Sequence, residues 1–164
     1  MRADGADLYD LTFPVHGGGN LPLAQYRGRP ILVVNTASRC GFTPQLGGMQ
    51  ALWKREAPNG LAIVGVPCNQ FGGQEPLEGE AIKAFCATSF GVDFPLTAKL
   101  DVKGEHAHPF YRWARAALGP LAVPRWNFWK ILVGADGRAR DWYSPLTKPE
   151  AGRLGRAIAR AYGG

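Results

Sequence analysis

The chain has 164 residues, with 19 basic and 13 acidic side chains and a net charge of +6. Hydrophobic residues make up 46% and charged residues 20%, a globular balance that excludes a disordered or fibrous chain. The length suits one domain with a core of ordinary size, and no apolar run approaches the roughly 18 residues of a membrane span.

Leu8 to Leu23 reads as a hairpin, turned by Gly17-Gly18-Gly19-Asn20. Ile31 to Asn35 is a continuous apolar run, which fits a strand buried on both faces. A helix follows, with Thr43 placed to cap it, Pro44 at its first position, and Leu46, Met49 and Trp53 at helical spacing. It runs to about Ala57, and Asn59-Gly60 ends it. Leu61 to Val66 is a second buried strand, and Pro67 to Pro76 a loop rich in Gly, Asn and Gln. Glu78 to Phe90 reads as a helix with Ile82, Phe85, Cys86 and Ser89 on one side, and Phe94 to Leu96 as a short extended piece. His106 to Leu118 is a third helix. Phe128 to Gly134 and Arg138 to Tyr143 are strands joined through the turn signal Asp136-Gly137, and Thr147 to Tyr162 is the closing helix. A strand–helix–strand start with a terminal hairpin and helix predicts an α/β domain. Its mixed sheet carries helices on both faces, most simply in a thioredoxin-like arrangement.

Three cysteines, 28 and 18 residues apart (40 to 68, 68 to 86), form neither an even disulfide set nor a zinc-ligand spacing. The opening MRADGADLYDLTF is acidic and lacks an apolar run, so no secretory leader and a reducing cytoplasm are expected. His106 and His108 lie near a helix start, where packing or capping is the simpler role; His16 is expected to be exposed. Basic residues gather only at Arg153, Arg156 and Arg160, one helical face that reads as solvated, so specific nucleic-acid binding is not expected. No phosphate-cradling glycine pattern opens a helix, and no bound cofactor is expected.

Three segments carry candidate chemistry. Asn35-Thr36-Ala37-Ser38-Arg39-Cys40-Gly41-Phe42-Thr43-Pro44-Gln45 places Cys40 between a buried strand and a helix start. Free N–H groups and the helix dipole there favour a thiolate, although an inert buried thiol is nearly as common. Val66-Pro67-Cys68-Asn69-Gln70-Phe71-Gly72-Gly73-Gln74-Glu75-Pro76 follows the second strand at the sheet edge where this class binds ligands. Its amides serve equally well to close the loop on itself. Arg125-Trp126-Asn127-Phe128-Trp129-Lys130 sets an indole and an amide at a strand entrance, as hydrogen-bond donors or simply as core.

NTASRCGFTPQ, VPCNQFGGQEP and WNFWKILV, in this order and spacing, resemble the glutathione peroxidase family, in its cysteine-containing, non-selenium branch. The resemblance runs from about Tyr9 to Tyr162. It implies a thioredoxin-like fold and reduction of hydroperoxides, with Cys40 as the peroxidatic residue and Gln74, Trp126 and Asn127 as its catalytic partners. Cys86 matches the resolving cysteine of the thioredoxin-using members, in a segment like AFCATSFGVDFPL, which points to thioredoxin rather than glutathione as reductant. Cys68 has a counterpart of less uniform role and is read as structural or accessory. The short stretch between His106 and Trp126 lacks the insertion that tetrameric members use, so a monomer is expected.

The resemblance implies that the Cys40 thiolate attacks a hydroperoxide to give a sulfenic acid, which Cys86 then condenses into a disulfide. A free thiol near pKa 8.5 is only roughly 3% ionised at pH 7, so the site must favour the anion. Cys86 shares a helical face with Ile82 and should point into the core, so unwinding of Glu78 to Phe90 is expected before the two sulfurs can meet. A peroxide sensor that relays oxidation to a partner needs the same thiol. A thiol exchanger is disfavoured because no Cys-x-x-Cys pair is present.

Overall fold

The computed structural model describes residues 7–163; the first part of the opening segment, residues 1–6, lies outside them. Thr12–Pro14 (β1) pairs antiparallel with Asn20–Pro22 (β2), Phe13 opposite Leu21, and the Val15 N–H donates to the Gly19 carbonyl at 2.9 Å across the turn. The hairpin is shorter than its sequence signal because Leu8–Asp10 coils into a 3-10 turn, with the Asp7 carboxylate accepting from the Tyr9 N–H. Ile31–Thr36 (β3) follows, buried at every residue, then Gln45–Glu56 (α1), Ala62–Pro67 (β4) and Gly79–Phe90 (α2). Pro109–Leu118 (α3), Lys130–Val133 (β5), Ala139–Tyr143 (β6) and Gly152–Tyr162 (α4) complete the order.

The main sheet runs β4-β3-β5-β6. The helical crossover makes β3 and β4 parallel, while β5 returns antiparallel to β3 and the Asp136-Gly137 turn makes β6 antiparallel to β5. Alternate residues of each strand leave on opposite faces. Ile31, Val33, Val64 and Ile131 pack toward the hairpin and Phe110, Tyr111 and Trp113 of α3. Leu32, Val34, Ile63 and Leu132 pack against Leu46 and Met49 of α1, Ile82 and Cys86 of α2, and Leu154 and Ile158 of α4. The fold is the thioredoxin-like α/β arrangement with an added N-terminal hairpin.

Several boundaries move for identifiable reasons. The Thr43 hydroxyl does not cap α1: it accepts from the Cys40 N–H at 2.9 Å and donates to the Ala37 carbonyl at 2.8 Å, bracing the preceding loop, and Pro44 rather than Thr43 flanks the helix. The third helix begins only at Pro109, where the His108 ring accepts from the Phe110 N–H. The closing helix begins at Gly152, because Pro149 biases Lys148 away from helical backbone and an Ala151-to-Lys148 turn precedes it. Phe94 to Leu96 contributes a single bridge, Leu96 to Gly65. Ser89 is exposed rather than packed with Cys86.

The strand expected from Phe128 starts at Lys130. Phe128 turns into the left-handed region at φ 65°, and Asn35 takes over the pairing there. The Phe128 N–H donates to the Asn35 carbonyl at 2.7 Å and the Trp129 N–H to its Oδ1 at 3.0 Å.

Candidate active site

β3 ends at Thr36 and the chain loops through residues 37–44 before α1. Cys40 sits in this loop, half-buried, with its edge against the apolar cluster under α1 and α2. The Phe42 N–H donates to its sulfur at 3.4 Å, a contact suited to negative charge on sulfur. The Cys40 carbonyl accepts from the Thr43 N–H, so the loop is bonded on both sides of the thiol.

The loop after β4 reaches the same place. The Gln74 carbonyl accepts from the N–H of Arg39, beside Cys40, at 2.9 Å, and its Oε1 accepts from Asn127 Nδ2 at 2.9 Å. One residue thus joins the first and third sequence segments. Gly72, at φ 67°, lets this happen: a Cβ there would fall 3.4 Å from the Trp126 ring and 3.5 Å from the Gln74 side chain, in a backbone region that favours glycine. Trp126 is half-buried against Phe71, ring centroids 6.0 Å apart. Asn127 is fully buried, and its Oδ1 has no partner among the described residues. Gln74, Trp126 and Asn127 are therefore brought together and tied to the residue next to Cys40. Arg39 itself is exposed.

Cys86 lies inside α2 at 3% exposure, packed with Ile82 and Val92. Burial, and then the negative charge of Glu75, push its thiol up to about 11. Glu75 is itself buried, which raises its carboxyl, while the Ser38 hydroxyl donates to its Oε1 at 2.6 Å. All three cysteines are free. Cys68 is sealed at 0% exposure and burial raises its thiol. Its neighbours are spent on backbone groups, Gln70 on the facing segment at 102–103 and Asn69 on the loop itself. Gln70 Oε1 accepts from the Val102 N–H at 2.7 Å, and Asn69 Oδ1 from the Glu75 N–H at 2.9 Å.

Sequence reasoning missed two residues here. Asn35, buried at the end of β3, donates through Nδ2 to the Trp126 carbonyl at 3.0 Å and so fixes the indole's backbone. Its only signal was a polar residue ending an apolar run. Lys130 is completely buried at the start of β5, its ammonium donating to Gln45 Oε1 at 2.8 Å and the Phe128 carbonyl at 3.0 Å. Burial draws its pKa down to about 7, against the opposing pull of Glu150.

Elsewhere the chain offers less chemistry. His108 caps α3 and its Nε2 lies 2.8 Å from the Thr12 carbonyl; His16 and His106 are exposed. Among the described residues, no three His, Cys, Asp or Glu side chains gather to hold a metal, and no helix is long and apolar enough to cross a membrane. Arg153, Arg156 and Arg160 lie on the exposed side of α4, with the Arg153 guanidinium over the Tyr143 ring.

A thioredoxin-like sheet with one half-buried thiol at a strand–helix junction, on a loop whose Arg39 N–H is bonded to Gln74, which Asn127 bonds in turn, has the build of a thiol-based oxidoreductase. The glutathione peroxidase family profile matches residues 8–115. A glutathione peroxidase-like peroxiredoxin from Schizosaccharomyces pombe is 43% identical over 145 residues, covering 87% of this chain and 92% of the relative. A hydroperoxy fatty acid reductase from Synechocystis is 41% identical over 151 residues, covering 87% and 89%. The crystal structure of T. cruzi GPX1 superposes with a TM-score of 0.77 at 29% identity, covering 97% of this chain and 98% of that one. The chain belongs to the glutathione peroxidase family, with cysteine at position 40, and is a peroxidase.

Proposed function

We propose that Cys40 is the sulfur that reduces the peroxide, with Gln74, Trp126 and Asn127 supplying donors around it, and that Cys86 resolves the product. The observation that carries this reading is Gln74, bonded at once to the Arg39 N–H and the Asn127 amide. The thiolate attacks the distal peroxide oxygen, a sulfur–oxygen bond forms as the O–O bond breaks, and the departing alkoxide takes a proton to leave as alcohol or water. Amide and indole donors stabilise the charge that moves from sulfur to oxygen.

Cys86 then attacks the Cys40 sulfenic acid, forming a disulfide and releasing water, so both electrons given to the peroxide come from the two sulfurs. A buried thiol pushed up to about 11 is almost entirely protonated at pH 7. Local opening of α2 must therefore both deliver Cys86 and restore its acidity. Thioredoxin, as a dithiol, reduces the disulfide in preference to glutathione. Organic hydroperoxides of the fatty-acid type are included among the substrates, in line with the name of the Synechocystis relative. The protein works as a monomer.

One equivalent of hydrogen peroxide followed by peptide mapping tests the assignment. A Cys40–Cys86 bridge is expected; a Cys40–Cys68 bridge, no bridge, or full turnover by Cys40→Ser overturns it. Coupled assays with thioredoxin and with glutathione, run separately, should show turnover mainly with the former.

A further inference from the structure

Lys130 is a charged side chain at 0% exposure in a strand whose other members are Ile131, Leu132 and Val133. A buried ammonium is costly unless its protons are received, and an apolar side chain of similar length would fill the space without that penalty. What it touches explains why a lysine stands there. Gln45, which receives one proton, opens α1; its Nε2 is held by the Pro145 carbonyl at 2.6 Å, and its N–H donates to the Phe42 carbonyl at 2.9 Å. The N–H of Phe42 is the one aimed at the Cys40 sulfur. The other proton goes to the carbonyl of Phe128, the non-glycine residue at φ 65°, which directly follows Asn127. A strained backbone persists only where its surroundings hold it. The Phe128 N–H is held by Asn35 and its carbonyl by Lys130. Gln74 joins the Cys40 loop to Asn127; Lys130 makes a second link, from Gln45 at the end of the Cys40 loop to Phe128 beside Asn127.

We propose that Lys130 is a positioning residue for peroxide reduction: its buried ammonium bridges the loop carrying Cys40 to the loop carrying Asn127 and fixes their separation. This rests on the reading of Cys40 as the reacting sulfur. The charged and titratable groups around it are Glu150, an exposed carboxylate on the loop before α4, and Tyr143, its register partner on β6. Burial draws the lysine's pKa down to about 7, so above neutral pH the bridge passes from an ammonium to an amine, whose hydrogen bonds are weaker.

The test separates the two chemical steps. In stopped flow at pH 6.5, Lys130→Met should consume hydrogen peroxide at least about tenfold more slowly than the wild type, since small misplacements of reacting groups have effects of that order. Reduction of its preformed disulfide by dithiothreitol should stay within about twofold. The wild-type rate constant per Cys40 thiolate, with thiolate followed by its ultraviolet absorbance, should fall as pH rises from 6 to 8.5. If Lys130→Met does not fold, Gln45→Leu, which removes one acceptor of the ammonium, takes its place with the same expectations. A Met variant within twofold of wild type, equal slowing of both steps, or a wild-type profile flat per thiolate would each overturn the proposal. Turnover in Cys40→Ser would instead sink the reading beneath it, so the two failures are distinguishable.

Discussion

α2 closes with two backbone bonds, from the Gly91 N–H to the Ala87 carbonyl at 2.9 Å and from the Val92 N–H to the Cys86 carbonyl at 3.1 Å. The second clasps Cys86, the proposed resolving cysteine. The clasp needs Gly91 in the left-handed region, at φ 66° and ψ 21°, and nothing lies within 4 Å of a Cβ built there. Gly91→Ala therefore introduces no clash and acts through the backbone alone, at about 1 kcal/mol for an L-residue held left-handed. That strain exists while the last turn is formed and vanishes once it opens. The open fraction should rise about fivefold, since 1.4 kcal/mol is a factor of ten in an equilibrium. If Cys86 becomes reactive only in the open form, disulfide closure should accelerate about fivefold while peroxide consumption is unchanged. Mixing with one equivalent of peroxide, quenching with an alkylating agent at intervals and weighing the linked peptides measures both phases. Closure that is no faster, in a variant whose amides at 86–92 exchange more readily, would refute the idea that opening of α2 controls the second step.

Asn127→Ala should slow the peroxide step by about 10²-fold and leave disulfide closure alone, as expected for loss of a donor to developing charge; an unchanged first step would remove Asn127 from the site. Asn35→Ala deletes the Trp126 and Trp129 contacts at a fully buried position and should cost about 2 kcal/mol in urea unfolding; a variant as stable as wild type would mean Asn35 does not hold the 126–129 segment. Stability should also depend on alkaline pH in two opposing ways. Lys130 titrates near 7 when folded and 10.5 when exposed, so the unfolded chain binds more protons across that window and stability rises through it. Cys86 titrates near 9 when exposed and about 11 when folded, so its contribution is complete below 9 and is lost as pH climbs through 11. Urea midpoints at pH 7, 9 and 11 should rise and then level or fall, with Lys130→Met flattening the rise from 7 to 9.

The sheet was legible because Ile31 to Val34 and Leu61 to Val64 are short unbroken runs of Ile, Leu, Val and Ala, which have no solvent-facing alternative. Cys86 was legible as a core residue from its four-residue spacing to Ile82, although the stripe does not extend to Ser89. The three segments were readable as a group, and Gln74 and Asn127 do meet. What the sequence could not show is pairing across distance. Thr43 before Pro44 looks like a helix cap, yet its hydroxyl is used by Ala37 and Cys40. Phe128 looks like the first residue of a strand, because nothing local reveals that Asn35, more than 90 residues earlier, bonds its N–H and turns it left-handed. Lys130 reads as an ordinary strand lysine until the ends of Gln45 and Phe128 are seen to converge on it.

Cys68 and Cys86 are both closed off from water, and only Cys40 has part of its surface open. The reduced molecule thus behaves toward a dissolved electrophile as though it carried a single mercapto group. A limiting dose of a maleimide dye would count molecules rather than cysteines, and any second equivalent taken up would time the moment at which the interior comes apart.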